Sequence, residues 1–469
     1  MSQFTLSSAA GQISLIRERH ISPLEAAEEH IDQIELLNPR LNAITDFDPD
    51  RIRAQARALM ASSVPRGPLF GLCVTVKSSI AARGLRCEVG SVLRRGAVAE
   101  EDAVAVARLR GAGAILLGST NCPEFLMAYE TDNLLYGRTG NPWNLEYIPG
   151  GSSGGEAAAI ASGMSAAGLG SDSGGSVRVP AHSTGICALK PTPGRIPGAG
   201  HVPPCVGPFS ILGAIGPMAR TVDDLALLFQ TLSGQDPADP IGAPTGPKIF
   251  SPAELRQLTI GYFQDDGIVP VTRETRAAVD AAVDVLRGEG FRVQPFRPRA
   301  LEAARKLWWK FFVRSGAMFL EPILRGQIDR LSPILLEFLS IAHQEPPLTG
   351  DELLQAWAEC DQVRGELLLE MQQFPVLLCP VCAIPAFRHG ERSWTIEGQL
   401  VRYLDAMRYA QWFNLLAAPA AVVPVGKSSE GLPIGVQVVA RPYQDELALA
   451  IAGVIDKAFG FVSPPMAIR

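Results

Sequence analysis

The chain has 469 residues, 47% of them hydrophobic, with 42 basic and 48 acidic side chains and a formal net charge of -6. That acidic balance gives no electrostatic reason to bind nucleic acid, and the length together with a mean hydropathy of +0.14 provides for a large buried core. The start, MSQFTLSSAAGQISLIRERH, lacks the basic and apolar stretches of a secretory signal, and no later apolar run approaches ~18 residues, so the expectation is a cytoplasmic protein without a membrane span.

Helical periodicity over residues 7–60, with Ser22-Pro23 as cap and first turn, predicts a helical N-terminal arm over 1–60. LFGLCVTV, residues 69–76, reads as a buried strand. Asp102 to Arg110 followed by GAGAILLGSTN reads as helix, glycine stop and strand, which is α/β layering. Residues 140–217 are rich in Gly, Ser and Pro, yet apolar segments such as EAAAIASGMSAAGLG run between the glycines, so this is ordered chain with close backbone approaches rather than linker.

Residues 241–370 read as a mostly helical insertion. Within LEAARKLWWKFFVRSG, Lys306, Lys310 and Arg314 recur every four residues as a basic stripe, with Trp308, Trp309, Phe311 and Phe312 elsewhere around the helix. A membrane-surface helix and a lid helix share that pattern; with no second membrane signal, the lid is the reading adopted. Strand-like runs return after Phe374 in FPVLLCPVCAIPA, PAAVVPVG and LPIGVQVVA. Eight scattered cysteines fit reduced thiols, and Cys379 and Cys382, spaced CxxC, lack the second ligand pair of a metal site and the helix of a redox site.

GGSSG, residues 150–154, fits a nucleophile elbow centred on Ser152, which would need a histidine. The six histidines, at 20, 30, 182, 201, 343 and 389, form no pattern that singles out a triad. A lysine base must be neutral near pH 7 and so needs apolar surroundings. Lys77, ending LCVTVK, alone directly follows a buried-looking strand, although a strand-end lysine reaching solvent accounts for it equally well. No serine stands three residues before a lysine, which excludes the SxxK arrangement. A second glycine-bounded serine, Ser176, lies in SDSGGSVR.

GGSSGGEAAAIASG followed by GSDSGGSVRVPAHSTGICALKPT, with Ser176 24 residues after Ser152, resembles the signature of the amidase-signature hydrolases. The resemblance extends to Lys77 after GLCVTV, to GSTNCPEF, ETDNLLYGRTGNPWN and GPMARTVDDLALL, and to GLPIGVQVVARPYQDE. It implies one domain over 1–469 with a central mixed, twisted β-sheet covered by helices on both faces. Residues 61–240 and 371–469 would form the catalytic α/β core, and 241–370 a cap over the substrate pocket.

Carried over, the family pattern makes Ser176 the nucleophile, Ser152 a bridging serine after a cis peptide bond, and Lys77 the ultimate base. Ser173, Gly174, Gly175 and Ser176 would supply the oxyanion hole, and Asp172 and Arg178 would support the loop. Residues 124–127, chiefly Phe125, Leu126 and Met127, would line the substrate pocket together with Ser153. Ser78 stands where an aspartate is common. The implied activity is hydrolysis of the C–N bond of small hydrophobic aryl or alkyl carboxamides, with esters and carbamates as extras. No metal or cofactor is expected, and a homodimer is left open. Two rivals stand beside this: a glutamine-hydrolysing subunit of a tRNA-dependent amidotransferase, and a catalytically silent scaffold built around Cys379 and Cys382.

Overall fold

The structure is a computed structural model that describes residues 3–62 and 67–467; the outermost ends of the single-domain span lie outside them. Its strands are β1 (Ile44–Phe47), β2 (Cys73–Lys77), β3 (Ile115–Thr120), β4 (Ala167–Asp172), β5 (Cys187–Lys190), β6 (Ala214–Ala219), β7 (Thr259–Tyr262), β8 (Arg292–Pro295), β9 (Val376–Pro380), β10 (Ser393–Ile396), β11 (Gln399–Arg402), β12 (Ala420–Lys427) and β13 (Pro433–Ala440). Eleven of them form one sheet in the order β1-β3-β2-β4-β6-β5-β12-β13-β9-β7-β8, while β10 and β11 pair as a hairpin. The sheet is mixed: β2 runs parallel to β3 and β4, and β7 to β8 and β9, whereas β4, β6, β5, β12, β13 and β9 are joined by antiparallel pairs.

Alternation along the strands sends successive side chains to two cores. On β9, Leu377 and Cys379 enter one and Val376 and Leu378 the other; on β12, Val422 faces the first and Ala421 and Val423 the second. Both faces are covered, so these strands read as continuous apolar runs. The first core is shared with the cap through Trp308 and Phe311; the second lies under helices Val222–Leu232, Arg273–Gly288 and Asp445–Phe459.

The N-terminal periodicity resolves into helices Ala9–Arg17, Pro23–Leu41 and Pro49–Ala61, the second opened by a capping box of Ser22 and Glu25 with Pro23 in its first turn. Between the last two helices, β1 adds an antiparallel edge strand against β3, a four-residue element too short to leave a periodic signal. The strand expected at 69–76 begins only at Cys73, because Gly71, at φ 80, closes a turn over the residues before it.

Residues 241–370 hold more than a cap. β7, helix Arg273–Gly288 and β8 make a parallel strand–helix–strand unit that extends the main sheet beyond β9. The cap proper starts at helix Leu301–Trp308, continues through a π-helical turn, Trp309–Arg314, into Ser315–Leu324, and adds Pro333–Ala342 and Gly350–Glu370. The π turn breaks the expected basic stripe. Lys306 stays exposed, but Arg314 turns inward to 7% exposure and pairs with Glu345 at 3.0 Å, while Trp308 and Phe311 are buried. Among the described residues no helix is long and apolar enough to cross a membrane.

Candidate active site

Lys77 ends β2, a strand buried at every position, and is itself fully buried. Its Nζ is hydrogen-bonded to Ser152 Oγ at 2.6 Å and to Ser171 Oγ at 3.1 Å. Burial pulls its pKa down to about 8 against the nearby Cys122, Asp172 and Glu156, which favour the charged form. Glu156, in helix Gly154–Ala161, is held by the hydroxyls of Thr75 and of Thr120, the latter at 2.9 Å. Burial nevertheless pushes its carboxyl up to about 8, so near neutrality it stands beside the lysine as an uncharged acid. Ser78 Oγ lies 3.2 Å from Cys122 Sγ, a neutral pair where the family pattern often has a carboxylate.

The Gly151–Ser152 peptide bond is cis. Gly150 has φ 84, and a Cβ on Gly151 would stand 2.7 Å from backbone atoms of Ala128 and Glu130, so both positions require glycine. Ser153 N donates to Ser176 O at 3.1 Å, which joins this loop to the second serine loop. Contrary to the expectation of a substrate contact, the Ser153 hydroxyl faces β4, accepting from Ser171 N at 3.3 Å.

The second loop is wound around a buried carboxylate. Asp172 accepts from Gly175 N at 2.7 Å and Val177 N at 3.1 Å, and from Arg178 Nε and Nη2 at 3.0 and 2.9 Å. Burial alone would push its pKa up, but the charge and hydrogen bonds of Arg178, with Lys190 and Asn414, hold it well below the usual carboxylate range. Asp172 and Arg178 thus organise the loop. The bond from Gly175 N also corrects the expected oxyanion set: that amide is committed to Asp172, whereas the amides of Gly174 and Ser176 have no acceptor among the described residues.

Ser152, Ser171, Ser173 and Ser176 open onto one apolar pocket with Phe125, Leu126 and Met127, as well as Phe209, Phe312 and Phe319. Phe125 and Leu126 have φ 48 and 68, a left-handed pair in the pocket wall. Glu124 is no pocket residue: its carboxylate accepts from Ser91 Oγ at 2.6 Å and Ser332 N at 2.7 Å, tying this wall to the start of a cap helix. Ser171, His201 and Cys205 line the pocket without having been singled out in the sequence. The signal for Ser171 was present, two residues before Ser173 at the end of β4. For His201 there was none; it is buried, its Nδ1 lies 2.7 Å from Pro203 O, and burial pulls its pKa down to about 4.

The free volume of this pocket is about 50 Å³; a larger cleft of about 770 Å³, rimmed by charged side chains such as Lys306 and Arg402, lies between the cap and residues 392–408 and is lined by none of Ser152, Ser171, Ser173 and Ser176. Cys379 and Cys382 are buried free thiols whose pKa values burial pushes up, an inert setting. Among the described residues no cluster of His, Cys, Asp or Glu could hold a metal ion.

A family model described as Amidase matches residues 25–449. The chain is 33% identical over 476 residues to a glutamyl-tRNA(Gln) amidotransferase subunit of Roseiflexus sp. (strain RS-1), covering 96% of this chain and 95% of that one. It is 32% identical over 461 residues to an acylamidase of Rhodococcus erythropolis, with 95% and 94% covered. It superposes on a bacterial aryl acylamidase of the amidase-signature enzymes with a TM-score of 0.87 at 26% identity, covering 97% of each. The chain belongs to the amidase-signature family of amide hydrolases.

Proposed function

We propose that this protein hydrolyses hydrophobic carboxamides through an acyl-enzyme on Ser176, with Ser152 as proton relay and Lys77 as base. The observation that carries this reading is the 2.6 Å bond between Ser152 Oγ and a fully buried Lys77 whose burial favours the neutral amine. Of the two serines, Ser152 is taken up by the lysine at 1% exposure, whereas Ser176 is less buried and faces the pocket beside an uncommitted amide.

Neutral Lys77 takes the Ser152 proton as Ser152 takes that of Ser176, whose Oγ attacks the carbonyl carbon. The developing oxyanion is met by the amides of Gly174 and Ser176; a donor so placed is worth roughly 3 kcal/mol. As the C–N bond breaks, the proton returns along the relay to the leaving nitrogen, and water then hydrolyses the ester to free acid and Ser176. Esters and carbamates fit the same sequence of steps.

The glutamine reading draws on the amidotransferase subunits among the relatives. Against it stands the pocket wall: its described lining residues include no Asp, Glu, Lys or Arg, while a glutamine zwitterion brings two charges that need partners. The test is a panel of anilide, ester, carbamate and glutamine substrates given to wild type, Ser176→Ala and Lys77→Ala. Turnover of the anilide by wild type alone supports the proposal. Full turnover by Ser176→Ala refutes the mechanism, and hydrolysis of glutamine only favours the amidotransferase reading.

A further inference from the structure

The second serine loop is also held from the cap. Trp308, 1% exposed at the end of helix Leu301–Trp308, donates its indole N–H to Ser173 O at 2.9 Å. Its ring lies against the next residue: a Cβ on Gly174 would stand 2.7 Å from Trp308 Cζ2. The Ser173–Gly174 peptide is not among the cis bonds, and in a planar trans unit the C=O and N–H point in opposite directions. Pinning Ser173 O toward the indole therefore fixes the Gly174 N–H pointing away from it. The following peptide unit is held separately, by Tyr129 Oη donating to Gly174 O at 2.8 Å and by the Gly175 N–H on Asp172.

Trp308 is in turn stacked on Phe312, at 4.8 Å between centroids and 9° between planes. Phe312 lines the pocket and meets Phe209, another lining residue, at 5.8 Å. A group filling the pocket against Phe312 thus bears on the side chain that orients an oxyanion donor. Binding energy gained far from the scissile bond can then appear in the rate rather than in affinity.

We propose that Trp308 is a positioning residue that sets the Gly174 N–H for the oxyanion, and that through Phe312 its setting depends on what occupies the pocket. This rests on Ser176 being the nucleophile. The cap is then a part of the catalytic apparatus that reads the apolar portion of the substrate.

The experiment compares wild type, Trp308→Phe, Phe312→Leu and Tyr129→Phe on acetyl and 4-phenylbutanoyl p-nitroanilides, with melting temperature and the rate of Ser176 phosphonylation by a fluorophosphonate. Trp308→Phe keeps an aromatic ring and loses the N–H. It is expected to lower kcat roughly 10- to 100-fold with KM changed less than about threefold, and to erase the advantage of the phenylbutanoyl over the acetyl substrate. Phe312→Leu is expected to erode the same advantage, and Tyr129→Phe to slow both substrates alike.

Phosphonylation needs no particular amide, so it separates the two readings. If wild type cleaves neither anilide yet Trp308→Phe still slows phosphonylation, the substrate reading fails and the positioning role stands. Turnover and phosphonylation within twofold of wild type in Trp308→Phe would overturn the proposal. So would a loss confined to melting temperature and KM.

Discussion

Lys77 shows what the site demands of single residues. A neutral amine requires pH near or above its pKa of about 8, so kcat/KM is expected to rise with pH through that region and then level, as a pH–rate profile would read. Glu156 ionises in the same region, and its charge favours the protonated amine. Glu156→Gln removes that pull, and the acid limb is expected to move to lower pH. The same depression has a stability consequence. Between the native value of about 8 and the ordinary 10.5, the unfolded chain holds a proton that the native one lacks, so stability rises with pH across that window. Relative to Lys77→Met, wild type is expected to gain about 3 kcal/mol between those limits, measured by denaturant unfolding at each pH, with no such gain below pH 8. Lys77, Ser152 and Ser176 could be singled out because they fall within the long match to the amidase signature; the local patterns alone left Lys77 equally a strand-end lysine reaching solvent, and its bond to Ser152 belongs to the fold. Glu156 could not be, because its protonation is set by burial, which outweighs the opposing hydrogen bonds from Thr75 and Thr120, residues far from it in sequence.

At the scale of elements, the loop after β4 depends on the Asp172–Arg178 pair. Both side chains are fully buried, and removing one leaves an uncompensated charge. Arg178→Met is expected to cost roughly 3–5 kcal/mol in chemical unfolding; a cost under about 1 kcal/mol would mean the pair is dispensable. The buried strands β2, β3, β9, β12 and β13 could be read as apolar runs. β1, β7 and β8 could not: each has four residues and sits at or near a sheet edge, and only tertiary pairing distinguishes them from loop. The basic stripe of the cap failed for a different reason, since a π turn changes the angular step that the every-four pattern assumes.

Over the whole molecule, the cap and core share one hydrophobic cluster, and contacts such as Ser332 N to Glu124 and Trp308 to Ser173 bind the insertion to both walls of the pocket. Residues 241–370 were legible as helical but not as a participant in the sheet and in the second serine loop, because the pairing of β7 with β9 and the bond from Trp308 to Ser173 each join residues more than a hundred apart. The CxxC pair belongs to that shared core. Cys379→Ala with Cys382→Ala is expected to leave kcat/KM within about threefold, since thiols this buried are inert packing groups. The central claim concerns one atom, Ser176 Oγ. Peptide mapping after fluorophosphonate treatment tests it most directly: the account expects a single adduct on Ser176 that forms far more slowly in Lys77→Ala. An adduct on Ser152, or labelling of Ser176 at an unchanged rate without Lys77, would contradict it.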